Sequence, residues 1–329
     1  MAQTLTYRLY QDADLPGMLR LWEESSGWGT LTPELWRQWY VDTPHGPSLI
    51  AVALDEDEQI AGQWVFTPSA VLVEGRDVSA LRFSAPILRA DLRRSALRSP
   101  FHPAVQLYLT GAEAAVARGY GLVYGLPDPA WLPASRLLAR FEPLRYAVAE
   151  FACVAVSIAP PSQTVAADPR NCAVDRVTTF GGEYDALWQS AQATGLVRCG
   201  VIRSSDWLQH KNGHHLSLEV RDSLDMTLLG YTAIKVKTGL LVDILACSAA
   251  ALVRVLAATL DWLAGQGGEA WIGDTGHLKA MESPALRPAL RALGFAPVDY
   301  KFAFVCKALA PSLSTEAVSP ACWYLTPGD

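Results

Sequence analysis

At 329 residues the chain is longer than most single domains, which predicts two domains of roughly 150 residues each. Half of its residues are hydrophobic, enough to give each domain a buried core. The formal net charge of −6 argues against a non-specific nucleic-acid binder, because displacing counterions from DNA requires a broad basic face. We therefore expect no DNA partner.

The cysteines and the N-terminus bear on the compartment. All six cysteines lie after residue 150, and none has Cys-x-x-Cys spacing, which argues against a disulfide framework or a zinc site. The first residues lack the charged-then-apolar pattern of a signal peptide, and no apolar run approaches the roughly 18–20 residues of a membrane span. We expect a cytoplasmic protein with free thiols, no metal and no membrane partner.

In chain order, the first half alternates short strands and helices. A strand near Tyr7 precedes a helix that starts at Asp12 or Asp14. The following elements are predicted as a helix at 33–40, a hairpin at 48–54 and 59–66, a second hairpin at 71–73 and 79–88, a helix at 133–139 and strands at 146–158.

Residues 84–125 organise this half. They predict a strand, an arginine-rich turn at 89–100, a helix with apolar positions at Val105, Leu109, Ala112 and Val116, and a buried strand. A cationic loop before a helix N-terminus can hold phosphate, because unpaired N–H groups and the helix dipole favour an anion. The alternative is a solvated turn whose arginines pair with Asp91 and neighbouring acids.

The order of elements recurs after a Pro- and Ala-rich linker. Matching residues include Trp22 and Trp188, Trp36 and Trp207, and Gly62 and Gly230. The second copy is shorter, since its strand at 239–246 runs almost directly into a helix at 249–264, without a cationic loop. We predict an N-terminal domain at 1–158, a linker at 159–171, a second domain at 172–310 and a tail at 311–329.

The repeated order β-α-α-β-β-β-loop-α-β-α-β resembles the GNAT (Gcn5-related N-acetyltransferase) fold. The marks are the helix-strand run at 112–128, which ends Tyr-Gly-Leu-Pro-Asp, and Leu293-Gly294-Phe295 in the second copy. The resemblance implies an α/β protein (α+β, mixed sheet) of two GNAT-like domains in tandem, each a central twisted mixed sheet flanked by helices.

The resemblance also implies an activity: acyl-CoA-dependent N-acyl transfer, with acetyl-CoA as the cosubstrate and a small-molecule primary amine as the acceptor, in the N-terminal domain. The sequence is also compatible with a homodimer. The family's pyrophosphate loop falls between Leu88 and His102, where this chain has arginines instead of glycines. The cofactor-binding residues expected there are Leu88, Arg89, Arg93, Arg94, Ser95, Arg98 and Ser99.

Asp128 and Tyr124 are the candidate catalytic residues, because they lie where a GNAT strand splays to admit substrate. A carboxylate at Asp128 could accept an amine proton directly or through water. The alternative for Asp128 is capping the short helix near Pro129. Asp243 interrupts an apolar strand, so it needs a partner if buried, and it is a further candidate base.

Two other functions are compatible with the sequence. The chain could be a non-catalytic, GNAT-derived binding or scaffold protein, or an aminoacyl-tRNA-dependent transferase.

Two further groups of residues are weaker candidates for a site. His210 and His214 have the spacing of a helical metal site, but Asn212-Gly213 favours a turn there. Trp28 and Trp131, beside glycine or proline, could line a pocket.

Overall fold

A computed structural model describes residues 4–84, 86–94, 99, 101–141, 145–158, 171–265, 276–314 and 318–329. The chain divides into two compact units. The first comprises Met1–Val71, Asp77–Ala149 and Ala303–Val318, and the second comprises Leu72–Arg76, Glu150–Phe302 and Ser319–Asp329.

This division differs from the predicted boundaries. Most of the strand that was expected to end the first domain belongs to the second unit, because residues 153–157 pair with residues 277–281. Residues 303–318 belong to the first unit, because residues 305–308 pair with residues 122–125. The segment expected as a tail is not peripheral, since its residues 323–326 are buried in the second unit.

The elements follow the predicted order. In the first half they are β1 (Thr6–Leu9), α1 (Leu15–Ser25), α2 (Pro33–Tyr40), β2 (Leu49–Leu54), β3 (Ile60–Val73), β4 (Arg76–Phe83), β5 (Ile87–Leu88), α3 (Pro103–Ala117), β6 (Leu122–Gly125), α4 (Leu132–Phe141) and β7 (Tyr146–Ser157). The second half contains β8 (Cys172–Val177), α5 (Gly182–Ala193), β9 (Cys199–Val201), α6 (Ser205–Asn212), β10 (Leu216–Asp222), β11 (Leu228–Lys235), β12 (Leu240–Ala246), α7 (Ala249–Gly265), β13 (His277–Met281), α8 (Arg287–Ala292), β14 (Ala296–Ala308) and β15 (Trp323–Tyr324).

The sheet of the first unit has the order β1-β2-β3-β4-β6-β14, with β5 on β3. The pairing of β4 with β6 is parallel, while β6 with β14 is antiparallel. Every residue of β2 is buried, because alternate side chains face helices on opposite sides. Leu49 and Ala51 belong to the core beneath α3, whereas Ile50 and Val52 belong to the core beneath α1 and α2.

The second unit builds its sheet in the order β8-β10-β11-β12-β13-β7. Two glycines occupy matching places in the two units. A Cβ on Gly62 of β3 would lie 2.8 Å from Leu88 of β5 and 3.2 Å from Leu107 of α3, and a Cβ on Gly230 of β11 would lie 2.3 Å from the Leu245 carbonyl oxygen of β12 and 2.8 Å from Val255 of α7. At both positions the glycine admits a neighbouring strand and a helix close to its own strand.

The buried face of α3 overlaps the predicted one only in part. Val105 and Ala112 are buried, but Val116 is 57% exposed. The buried face also includes Leu107, Tyr108 and Gly111, and a Cβ on Gly111 would lie 2.1 Å from the Phe66 ring. The closest approach of α3 to the sheet is therefore at a glycine, which an apolar pattern does not reveal.

No helix among the described residues is long and apolar enough to cross a bilayer.

Candidate active site

A wedge opens in the first sheet between β4 and β6. The parallel pairing covers residues 80–82 with 122–124. Beyond Phe83 the chain follows β3 instead, because Ser84 N–H donates to the Val65 carbonyl (3.1 Å) and Ile87 pairs with Gln63. At the apex only glycine fits at position 125, since a Cβ there would lie 2.7 Å from the Phe83 carbonyl oxygen.

This break corrects the predicted strand at 79–88. The structure has two strands, β4 and β5, joined by residues 84–86. Proline at 86 has no N–H with which to continue a ladder. The break places Phe83 and Pro86 on one lip of the wedge.

A pocket lies in the wedge, entirely within the first unit. Both lips, two helices and the flanking strands contribute to it. Its lining residues are mostly aromatic or aliphatic: Trp64, Phe83, Pro86, Ala104, Val105, Tyr108, Pro127, Trp131, Ser135, Leu138, Tyr146 and Val305.

The rings in the pocket wall contact one another. The Trp64 centroid lies 5.3 Å from that of Tyr108 and 6.0 Å from those of Phe83 and Trp131. Such tilted and edge-to-face contacts restrain the rings and give the pocket an aromatic wall.

Hydroxyl groups and the buried Nε1–H of Trp64, which has no hydrogen-bond partner among the described residues, supply polar atoms to this wall. The Tyr146 hydroxyl donates to that of Tyr108 at 3.4 Å, and the Ser135 hydroxyl donates to the Trp131 carbonyl at 3.2 Å. The ammonium of Lys307 lies 5.0 Å from the centroid of the Tyr146 ring. None of the lining residues that the structure describes carries a charge.

The first turn of α3 forms part of the pocket wall, through Ala104 and Val105. His102 is the N-cap, and its Nδ1 accepts the Ala104 N–H at 3.1 Å. Because the positive end of the helix dipole lies here, an anion at the mouth of the pocket is favoured.

Arg89 is held by two carboxylates of the protein itself. Its Nη1 lies 2.6 Å from Asp55 Oδ2, and its Nε lies 2.9 Å from Asp91 Oδ1. The hydrogen bonds from Arg89 keep the pKa of both carboxyl groups below their ordinary value. These ion pairs match the alternative interpretation of the arginine-rich turn, in which its arginines pair with Asp91 and neighbouring acids.

Arg93 also bonds to the protein. Its Nε donates to the Leu88 carbonyl at 2.8 Å, and its Nη2 donates to the Ser25 carbonyl at the end of α1. Leu88 itself is buried in β5. The Ser99 hydroxyl accepts the Phe101 N–H at 3.2 Å. Ser95, Arg98 and the side chain of Arg94 lie outside the described residues.

The two predicted catalytic residues do not line the pocket. Tyr124 is buried in β6, and its neighbour Val123 belongs to the core beneath α3. Asp128 is exposed, and its carbonyl accepts the Trp131 N–H at 2.9 Å, at the start of a 3₁₀ turn. It follows the lining residue Pro127 directly, so it lies beside the pocket.

Sequence reasoning anticipated one lining residue, Trp131, and missed the other aromatic ones. Trp28, the second pocket candidate, is 63% exposed and packs against Trp22. A signal for the missed residues was present in β3, where Trp64 and Phe66 alternate toward one face of the sheet.

The corresponding wedge of the second unit is filled by the chain itself. There β12 pairs with β13 at Leu240 and Lys279. Beyond this pair, residues 323–329 form hydrogen bonds with residues on both sides of the wedge. The Gly328 N–H donates to the Val242 carbonyl at 2.7 Å, and the Ser283 hydroxyl donates to the Leu325 carbonyl at 2.9 Å.

Asp243, expected to need a partner if buried, is fully buried and has several. Its carboxylate accepts bonds from Arg203 at 3.0 Å, Asn212 at 3.0 Å and Tyr231 at 2.7 Å. These bonds make Asp243 part of the structural core of the second unit.

The two histidines with metal-site spacing do not share one helix, because His210 lies on α6 and His214 lies beyond its end. Among the described residues, no group of side chains could hold a metal ion.

Solved structures place this geometry among known proteins, whereas no family model and no curated protein matches the chain. Among solved structures, a GCN5-related N-acetyltransferase from Anabaena variabilis matches with a TM-score of 0.63 at 12% identity, over 93% of this chain and 73% of the other. Another from Kribbella flavida matches with a TM-score of 0.59 at 12% identity, over 93% and 71%.

A tandem GNAT protein from the clavulanic acid biosynthesis pathway matches with a TM-score of 0.53 at 12% identity, over 94% of this chain and all (100%) of the other. The chain therefore has the fold of the GCN5-related N-acetyltransferases, as the sequence resemblance predicted. Its mixed sheets and flanking helices fit a two-domain GNAT architecture.

Proposed function

We propose that the first unit is an acyl-CoA-dependent N-acyltransferase whose acceptor is a primary amine on a small molecule. The observation that carries this proposal is the wedge between β4 and β6, with a pocket bounded by the first turn of α3. A thioester in the wedge would place its carbonyl beside strand backbone, and its diphosphate at the positive end of α3.

Acyl transfer in the wedge requires an acceptor nitrogen with a free lone pair. Held against the thioester carbonyl, a neutral amine attacks directly: the C–N bond forms, the C–S bond breaks, CoA leaves as the thiolate, and the amine gives up its excess proton. We assign that proton to Asp128 through water, because this exposed carboxylate adjoins the pocket at Pro127. The second unit has no such role in the proposal, since residues 323–329 occupy its wedge.

Ligand-induced stabilisation tests the proposal. Acetyl-CoA, the donor expected from the sequence, and free CoA should both raise the melting temperature, with about 2.7 kcal/mol of stabilisation at a hundredfold excess over Kd. Amines should then release CoA thiol from the donor. Unchanged melting with CoA and all its thioesters at millimolar concentration would overturn the proposal.

One observation favours a second candidate, a non-catalytic binding or scaffold protein. The guanidinium groups of Arg89 and Arg93 bond to groups of the protein itself rather than lying open to a ligand. This candidate predicts partner binding that survives the double change Arg93→Ala and Arg94→Ala, and no turnover with any amine.

A further inference from the structure

We propose that one end of the sheet of the second unit binds a small anion that carries two or more phosphate groups, such as a di- or triphosphate. At this end, which we name the lysine edge, β10, β12 and β13 begin and β11 ends. The inference does not depend on acyl transfer in the first unit. It is carried by the places that the chain gives to its lysines and histidines.

Lysine is rare in this chain and is concentrated at the lysine edge. Four of the six lysines lie there: Lys211 in the last turn of α6, Lys235 at the end of β11, Lys237 in the turn that follows and Lys279 in β13. Two of them are aligned, because Leu240 of β12 pairs with both Lys235 and Lys279. With strands about 4.8 Å apart, the backbones of these two lysines are about 10 Å apart, and cross-strand partners share a face of the sheet.

Histidines gather at the same edge. Four of the six lie there: His210 in α6, His214 and His215 just before β10, and His277 at the start of β13. The ring centroids of His214 and His215 are 4.0 Å apart. Since Leu216 pairs with Ile234, the next residues outward, His215 and Lys235, lie beside each other. Imidazole N–H groups thus add hydrogen-bond donors to the ammonium groups.

Acidic side chains are absent from the stretches that form the lysine edge. Residues 209–217, 234–241 and 276–281, all of which the structure describes, contain no aspartate or glutamate. The carboxylates of Asp243 and Asp329, in the same unit, are fully buried and bonded to Arg203. In a chain with a net charge of −6, this uneven distribution makes the lysine edge attractive to anions.

The titration of two histidines reflects the positive potential. Burial lowers the pKa of His214, and Lys211 and Lys235 act in the same direction. Burial also lowers the pKa of His215, to about 4, where the same two lysines act against a weaker, opposite effect of Asp243. A bound anion would supply the negative charge that these groups lack.

The residue types favour phosphate over carboxylate. The structure pairs carboxylates with arginine, as it does Asp55 with Arg89, and a forked guanidinium matches a carboxylate. The three stretches of the lysine edge contain no arginine. Their ammonium groups act as mobile point charges, and a phosphate group offers more negative charge and more acceptor oxygens than a carboxylate. An anion with several phosphates can engage both Lys235 and Lys279 across their separation.

Calorimetry with the full chain tests the site. The probes are tripolyphosphate, citrate and a single-stranded RNA of about 20 nucleotides, all at low salt. We expect tripolyphosphate to bind at least about tenfold more tightly than citrate, and added NaCl to weaken its binding. Lys235→Gln and Lys279→Gln should each raise its Kd about tenfold, as expected for the loss of one charge-assisted hydrogen bond.

Arg198→Gln is the matched control. It removes an exposed cation of the same unit, close in sequence to Thr194, whose hydroxyl donates to the Cys247 carbonyl at the opposite end of β12. This variant should change Kd by less than about twofold. Melting temperatures close to that of the wild type verify that each variant folds.

Unchanged binding in both lysine variants would overturn the inference, because the anion would then bind elsewhere, for example at the start of α3. Citrate that binds as tightly as tripolyphosphate would overturn the assignment to phosphate. RNA that binds more tightly than tripolyphosphate would overturn the assignment to a small anion. None of these outcomes depends on acyl-CoA, so failure of the proposed function would leave the lysine edge standing.

Discussion

The Nε–H of Arg203 donates to Oδ1 of Asp243 over 3.0 Å, and both side chains are fully buried in the second unit. The Nη2 of Arg203 also lies 2.9 Å from Asp329 Oδ2. Its guanidinium packs over the rings of Trp207 and Tyr324, at 5.7 and 5.1 Å from their centroids. This one cation thus joins β12 to the segment 323–329 that fills the second wedge.

Removing that cation should destabilise the second unit strongly. Arg203→Met leaves two buried carboxylates, Asp243 and Asp329, without their counter-charge, so we expect a loss of about 3–5 kcal/mol in the free energy of unfolding. Urea denaturation measures it. Arg198→Met removes an exposed arginine and should change stability by less than about 0.5 kcal/mol. A loss below about 1 kcal/mol for Arg203→Met would show that the network contributes little.

Stability should fall with acidification because of His215. Burial lowers the pKa of His215 to about 4, and the nearby His214, Lys211 and Lys235 act in the same direction. The unfolded chain, with an ordinary pKa near 6.5, therefore takes up the proton first. This contribution to stability is fully present above pH 6.5 and is lost as the pH falls toward 4.

Unfolding free energies at several pH values between 7 and 4 test this dependence. His215→Asn should flatten the decline, and His277→Asn, at an exposed position, should leave it unchanged. A residual slope is expected in His215→Asn, because burial also lowers the pKa values of His210 and His214. A wild-type slope in His215→Asn would contradict the assignment.

Close packing of α3 on the sheet makes a methyl group costly at position 111. The Cβ of Gly111→Ala would lie 2.1 Å from the Phe66 ring, so either the ring or the helix must shift. We expect about 1–3 kcal/mol of destabilisation, measurable as a lower melting temperature. At the start of α5, the Cβ of Gly182→Ala would have no heavy atom closer than Asp185 Oδ2 at 4.0 Å, so this variant should leave stability almost unchanged. Equal behaviour of the two variants would mean that α3 does not pack this closely.

Asp128 should affect turnover without affecting donor binding. If it takes the amine proton through water, Asp128→Asn should lower kcat by roughly 10²-fold or more, with KM for the acyl-CoA unchanged. Steady-state kinetics with the best amine found supply the values. Asp57→Asn, in the exposed turn between β2 and β3, is the matched control. An unchanged kcat would remove Asp128 from the mechanism.

Much of the fold could be predicted from local pattern. The helix at 33–40, the strand-turn-strand after it and the short junction before α7 follow from periodicity, proline and turn residues. Gly62 and Gly230, which match in the sequence repeat, both lie where a Cβ would crowd a neighbouring strand and a helix of their own unit.

The strand memberships and the pocket could not be predicted. No local signal indicates that residues 305–308 pair with β6, or that residues 323–329 enter the second wedge, since both depend on contacts between distant parts of the chain. The pocket likewise combines Trp64, Tyr108 and Val305 from three separate elements. The sequence predicts Arg89 as a cofactor-binding residue because it is a cation in the arginine-rich turn. Its partner Asp55 lies in an earlier turn, so the ion pair appears only in the structure.

In the proposed enzyme acyl-CoA binds in the wedge of the first unit and not in that of the second. Amide hydrogen exchange of the full chain, with and without saturating acyl-CoA, distinguishes binding at the two wedges. We predict slower exchange in the first turn of α3 and in residues 86–88, with unchanged exchange in β12 and residues 323–329. Protection confined to β12 and residues 323–329, or no protection under conditions where calorimetry shows saturation, would contradict the claim.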